Sequence, residues 1–264
     1  MKPLHHIRVA AVGGGIVLAA FGLLSTAAAD TVKPPPQTEP TVYILNTSTG
    51  APYATPDRQG FLDLLVAEAF KRIGLKGEVA LYAESKRALI NANDDIDQGV
   101  AMRVQNLEKN HPNLVRVPER VIGNDFVAYA RDLDVVTDSW EALKPYAVTH
   151  IHGWVIFERN MPEGQDVVTV KEPAQMFSML DKKRVNMALY ERWQGLQFAK
   201  DQGLKVNVLE PPLASVDMFM YVHKKYAHLV DKLDGALKAM KADGTYQAIF
   251  ERTLTPLLPS RTMD

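Results

Sequence analysis

The sequence contains no cysteine. That excludes disulfide bridges, a thiol nucleophile, a cysteine-ligated metal and a lipid-bearing cysteine behind a signal sequence. An exported chain of this kind is held by its core alone, which suits a bacterial periplasm or cell exterior better than a eukaryotic secretory route. Charge of one sign is also missing, since 30 Lys and Arg against 31 Asp and Glu give a net charge of −1. Residues 1–29 carry Lys2 and Arg8 and no acid, so without them the net charge becomes −3. Such a chain lacks the basic footprint of a nucleic-acid binder, and its partner is expected to be a small molecule. No G-x-S-x-G, phosphate-loop or zincin pattern is present. There is no short-period internal repeat, which argues against a solenoid. Past the N-terminus no run approaches the ~20 apolar residues that a membrane-spanning helix needs.

What is present reads as an ordinary globular chain of 264 residues, 47% hydrophobic and 23% charged. That is enough for one large or two modest domains with a core of their own. The N-terminus has the form of a secretory signal. Lys2 and Arg8 precede the apolar run "VAAVGGGIVLAAFGLL", and Ala27 and Ala29 fit a small-x-small cleavage site, so residues 1–29 are expected to be removed. "TVKPPPQTEP", completing residues 30–40, is a proline-rich leader without a fold of its own.

From there β-rich runs alternate with helical periodicity. "TVYIL" predicts a strand, and "GAPYATPDRQG" is an irregular loop. A helix follows from Phe61 to Ile73, with Leu62, Leu65, Val66, Ala69, Phe70 and Ile73 on one stripe and Gly74 as its stop. Asp63 suits the positive end of that helix. "EVALYA" and "GVAM" predict strands around a short helix "SKRALINAN", and "LVRV" and "DFVAYA" predict two more strands with a turn between them. The rhythm restarts after Asp132 with "YAVTHI", "GWVIFERN", "VVTV", "EPAQMFSMLDKK", "VNMAL", "ERWQGLQFAKDQG" and "KVNVLE". "DMFMYVHKK" then reads as a strand, followed by two helices too short to bury a core alone. The expectation is an α/β chain with a mostly parallel sheet in two lobes. The first lobe takes 41–127 and 219–264, and the second takes 128–218. They are joined by two crossing strands near Phe126–Arg131 and Asp217–Tyr221, so that a hinged cleft lies between them.

The stretches "APY…GFLDLLVAEAFKRIG", "SKRAL", "DIDQGVAMR", "RVNMAL" and "LKAMKADGTYQAIFER" together resemble the periplasmic solute-binding proteins of the amino-acid type that serve ABC transporters. The resemblance spans nearly all of the expected mature chain. It implies a two-lobed, type II periplasmic-binding-protein-like fold with two hinge strands, and a monomer that hands a small polar solute to a permease. No catalysis, cofactor or metal is expected. Two of the family's habits are missing: no Thr accompanies Arg103 after the third strand, and the usual Asp of "R-V-D-x-A" is Asn186. The same fold also hosts periplasmic dehydratases and receptors that signal to a sensor, and both stay open as alternatives.

Five residues are candidates for the ligand site. Arg103, past a strand end, offers the planar fork that meets a carboxylate. Arg87, near the start of a short helix, is a weaker cation. Glu191, beyond "RVNMAL", stands where the resemblance implies an acid for a ligand ammonium. Tyr53 in the first loop and Trp154 after Gly153 are the aromatic walls, one from each lobe. His150 and His152, two apart on a predicted strand, share a face that two metal ligands would need, but with no third ligand nearby no metal site is assigned.

Overall fold

A computed structural model describes residues 41–258. The expected signal peptide, the whole leader and residues 259–264 lie outside the described residues. Among those described, no helix is long and apolar enough to cross a membrane.

The chain opens with β1 (Tyr43–Thr47), α1 (Phe61–Arg72), β2 (Gly77–Leu81), α2 (Ser85–Asn93) and β3 (Gly99–Val104). β4 (Leu114–Ala130) follows, then β5 (Val148–Ile151), α3 (Val155–Asn160), β6 (Val167–Val170), α4 (Pro173–Asp181), β7 (Met187–Glu191), α5 (Arg192–Asp201) and β8 (Asn207–Val208). It ends with β9 (Ala214–His223), α6 (Val230–Ala242) and α7 (Thr245–Thr253). The strands join in one sheet of order β2-β1-β3-β9-β4-β7-β5-β6, with β8 beside β4.

Local chemistry explains the first unit. Of the stripe expected on α1, Leu62, Leu65, Val66, Ala69 and Phe70 are buried and Ile73 is a half-buried C-cap residue. Asp63 holds the helix start by accepting from the N–H groups of Gly60 at 3.0 Å and Thr55 at 2.9 Å. Gly74 ends the helix at φ +77°, a conformation that costs glycine little. Phe61 packs edge-on to Tyr246 and Phe250 of α7, so the last helix returns to the first. Phe250 also meets Trp193 of α5 at 5.3 Å, so the C-terminal helix packs against both α1 and α5.

Three expectations change. "LVRV" and "DFVAYA" are not two strands but the two ends of β4, which is 17 residues long. Pro118 does not break it, because register shifts on either side of Arg120 absorb the extra residues as bulges while β9 stays paired. The sheet is also not mostly parallel. β1–β2, β1–β3, β5–β6 and β5–β7 are parallel, whereas β3–β9, β4–β9, β4–β7 and β4–β8 are antiparallel. The long crossing strands run against their neighbours, and that turns one half of the sheet over relative to the other. Finally, "KVNVLE" yields only the two-residue β8.

Gly99 lets β3 lie close to β9. A Cβ there would sit 2.1 Å from the Tyr221 carbonyl oxygen and 3.0 Å from Val222 Cα, both backbone atoms that cannot swing aside. Gly99→Ala is expected to cost about 1–3 kcal/mol or more, read as a lower urea midpoint at unchanged slope. An unchanged midpoint would contradict this packing.

Candidate ligand-binding crevice

Strand direction places the site. β1, β2 and β3 are parallel, and β3 ends at Val104 opposite Met218 of β9, which itself faces Ile122 of β4. β5, β6 and β7 are parallel in the opposite sense, and β7 ends at Glu191 opposite Phe126 of β4. The carboxyl ends of the two strand sets therefore point at each other across Ile122–Phe126. Four residues of extended chain span about 13 Å. In α/β sheets the ends of parallel strands are where ligands are met, and here two such edges face each other.

On the first edge the only charged candidate turned inward is Arg103. Its Nη2 donates to Ser48 Oγ at 3.0 Å and to Ser85 Oγ at 2.7 Å. Its Nε is buried with no acceptor. Burial alone pulls its pKa down, with no acidic group contributing, and it remains a cation at any ordinary pH. A half-buried guanidinium bonded only to hydroxyls still has donors to offer. Ser85 opens α2, whose N-cap residue Glu84 makes no side-chain cap and whose first turn holds no acid. The uncapped N–H groups there add a positive partial charge beside Arg103. Arg87 is exposed on the same helix, and the side-chain partners of Arg103 are Ser48 and Ser85 rather than any group of Arg87.

The loop between β1 and α1 carries Tyr53. Leu62 N donates to Tyr53 O at 2.8 Å and Phe61 N to Pro52 O at 2.9 Å, which strap the loop to the helix start. Gly60 permits the approach, since a Cβ there would lie 2.5 Å from Tyr53 O. Tyr53 is fully buried rather than an open wall. Its hydroxyl donates to Glu191 Oε1 at 2.9 Å and lies 3.2 Å from Asn124 Oδ1 on β4. The first loop is thus tied directly to the end of β7.

Glu191 ends β7 and caps α5, with Oε2 accepting from Gln194 N at 2.8 Å. It is 1% exposed. Burial pushes its pKa up to about 7, although the bonds from Gln194, Trp193 and Tyr53 favour the charged form. The acid expected to await an ammonium is therefore sealed, with both oxygens already bonded. Behind it, Arg192 pairs with Asp125 at 3.1 Å and with both oxygens of Glu210 at 2.6 and 3.0 Å, fixing the start of α5 to β4. Tyr129 donates to the Glu191 and Arg192 carbonyls from below.

Trp154 lies half-buried after Gly153, which sits at φ +83°. It packs on Tyr190 at 4.6 Å and is stacked on Phe157 at 5.9 Å. It shares the second edge with Glu191 through Tyr190. His150 and His152 part company: His150 is buried in β5 against Phe157, while His152 lies past the strand end, exposed and near Glu158. The strand stops between them, so they do not share a face, and no metal-ligating group of three occurs among the described residues.

Sequence reasoning missed Ser48, Ser85, Asn124 and Tyr190. Ser85 was legible as the first residue of "SKRALINAN"; the other three carry no local signal.

Because the Glu191 pKa lies above its ordinary value of 4.5, the folded state holds a proton that the unfolded chain releases in between. Stability therefore falls as pH rises from about 5 to 8, by about 2–3 kcal/mol. Melting temperatures across that range are expected to show the decline, and Glu191→Gln is expected to flatten it. A wild-type profile that rises toward pH 8 would contradict the burial described here.

No protein-family model matches the chain, and no curated protein matches it. Solved structures do. An ancestral cationic amino acid solute binding protein superposes with a TM-score of 0.66 at 18% identity, covering 81% of this chain and 96% of that one. Substrate-binding domain 2 of Lactococcus lactis GlnP, in its open conformation, gives 0.63 at 18%, covering 83% and 97%. A histidine kinase sensor domain with similarity to periplasmic binding proteins gives 0.63 at 17%, covering 81% and 96%. The fold is the two-lobed periplasmic-binding-protein fold.

Proposed function

We propose that this chain is a periplasmic solute-binding protein that captures a small polar solute, an amino acid or a small carboxylate-like compound, between its lobes and passes it to an ABC permease without chemistry. The first lobe takes 41–127 and 219–264 and the second 128–218, preceded by a signal peptide (1–29) and a leader (30–40). The observation that carries the reading is Arg103, a half-buried cation at the crevice with hydroxyl partners only and an unpartnered Nε. Trp154 and Tyr190 supply the opposite wall, and β4 with β9 supplies the hinge. Arg87 supplies general positive potential at the mouth rather than a contact. Tyr53 and Glu191 hold the lobes at the crevice floor.

The solved neighbours support the reading, one being a cationic amino acid solute binding protein and another a substrate-binding domain. The likeness to a histidine kinase sensor domain supports a second reading, in which the same binding event signals to a sensor partner. A thermal-shift screen of amino acids and small carboxylates on mature protein is the test. A ligand at about a hundredfold its dissociation constant adds about 2.7 kcal/mol, an unmistakable rise in melting temperature. If no compound raised it while the protein turned over a hydroxy-acid substrate, an enzyme would replace a carrier.

A further inference from the structure

The charges on the two edges of the crevice are unequal. A zwitterionic ligand needs a cation for its carboxylate and an anion for its ammonium. Arg103 is available, with a buried, unpartnered Nε and only Ser48 and Ser85 as neutral partners. Glu191 is not available, since its oxygens are bonded to Tyr53 and Gln194 and it is 1% exposed. Arg192, next in the chain, takes up the nearby carboxylates Asp125 and Glu210. Glu84 before Ser85 and Glu172 near Tyr190 are exposed on the rim. An ammonium at the buried floor would therefore lose its water and find Glu191, Asp125 and Glu210 already bonded, a costly desolvation.

The rim has a second character. Among the exposed large apolar residues, three lie at or just past the carboxyl ends of parallel strands. Leu81 ends β2 at 50% exposure, Val104 ends β3 at 44%, and Val155 follows β5 at 48%. The Trp154–Tyr190 pair adds a half-buried aromatic surface at the end of β7, suited to an apolar body.

We infer that the ligand is a monocarboxylate with an apolar body and no ammonium group, its carboxylate on Arg103, Ser48 and Ser85. This rests on the proposed binding function and narrows it. Calorimetric titration of mature protein with acid–amino acid pairs tests it: acetate and glycine, isovalerate and valine, 3-phenylpropanoate and phenylalanine, with isobutylamine and phenethylamine as amine-only controls. The expected result is that at least one acid binds about tenfold or more tighter than its amino acid and that the amines give no heat. The Arg103→Gln variant, its folding checked by circular dichroism, is expected to lose that binding by about tenfold or more. An amino acid that binds as tightly as its acid would overturn the ligand class and leave the binding function standing. Binding of an amine alone would also overturn it. If no acid binds and nothing in the wider screen binds, both the class and the binding function fall.

Discussion

Arg103→Ala is expected to abolish ligand binding while leaving the protein folded. Arg103 contributes little to stability, because its partners are two hydroxyls that water can replace and its buried Nε has none. Removing an unpaired, half-buried guanidinium relieves a desolvation cost, so the melting temperature should hold or rise slightly. Binding is different. A carboxylate meeting guanidinium and an uncapped helix start makes charge-assisted hydrogen bonds, and losing the charged partner of a buried pair costs about 2–5 kcal/mol. For any compound that stabilises the wild type, the dissociation constant should rise about thirtyfold to several-thousandfold by calorimetry. A value within about threefold of wild type would remove Arg103 from the site.

Tyr53→Phe carries the next largest effect, and it acts on stability. The hydroxyl reaches Glu191 Oε1 and lies by Asn124 Oδ1, and both residues are buried. Phenylalanine keeps the ring against Phe61 but leaves those oxygens without that donor, at a cost of about 1–3 kcal/mol. The O–H bond favours the carboxylate form of Glu191. Its loss therefore moves the Glu191 pKa further above the unfolded value, and the decline of stability with pH should extend to higher pH than in wild type. Melting temperatures of the two proteins from about pH 5 to 9 read both effects. Coincident profiles would mean that Tyr53 and Glu191 do not bond in solution.

Local elements were legible because local chemistry determines them. "SKRALINAN" is α2 residue for residue, and the stripe and glycine stop of α1 fall where the spacing put them. β4 was not legible, because Pro118 in "RVPER" reads as a break unless its partner strand is known. β9, about a hundred residues later, supplies the register that turns the break into a bulge. The site divides the same way. Arg103 and Glu191 stood out from the sequence alone, each at a predicted strand end. The bond that makes Glu191 unavailable comes from Tyr53, 138 residues away, and no local pattern announces it. Tyr53 itself looked like an open wall because its loop is rich in proline and glycine. Gly60 and the backbone bonds to α1 fold that loop down and bury the ring instead.

The central claim is that a small carboxylate is held at the carboxyl ends of β1, β2 and β3. A crystal structure of the mature protein grown with the tightest acid tests it most directly. The account predicts the carboxylate within hydrogen-bond distance of Arg103, between the hydroxyls of Ser48 and Ser85, with the apolar body toward Trp154. Density for the acid elsewhere, for instance in the separate groove of about 420 Å³ between α1 and α7, with Arg103 still bonded to hydroxyls alone, would contradict it.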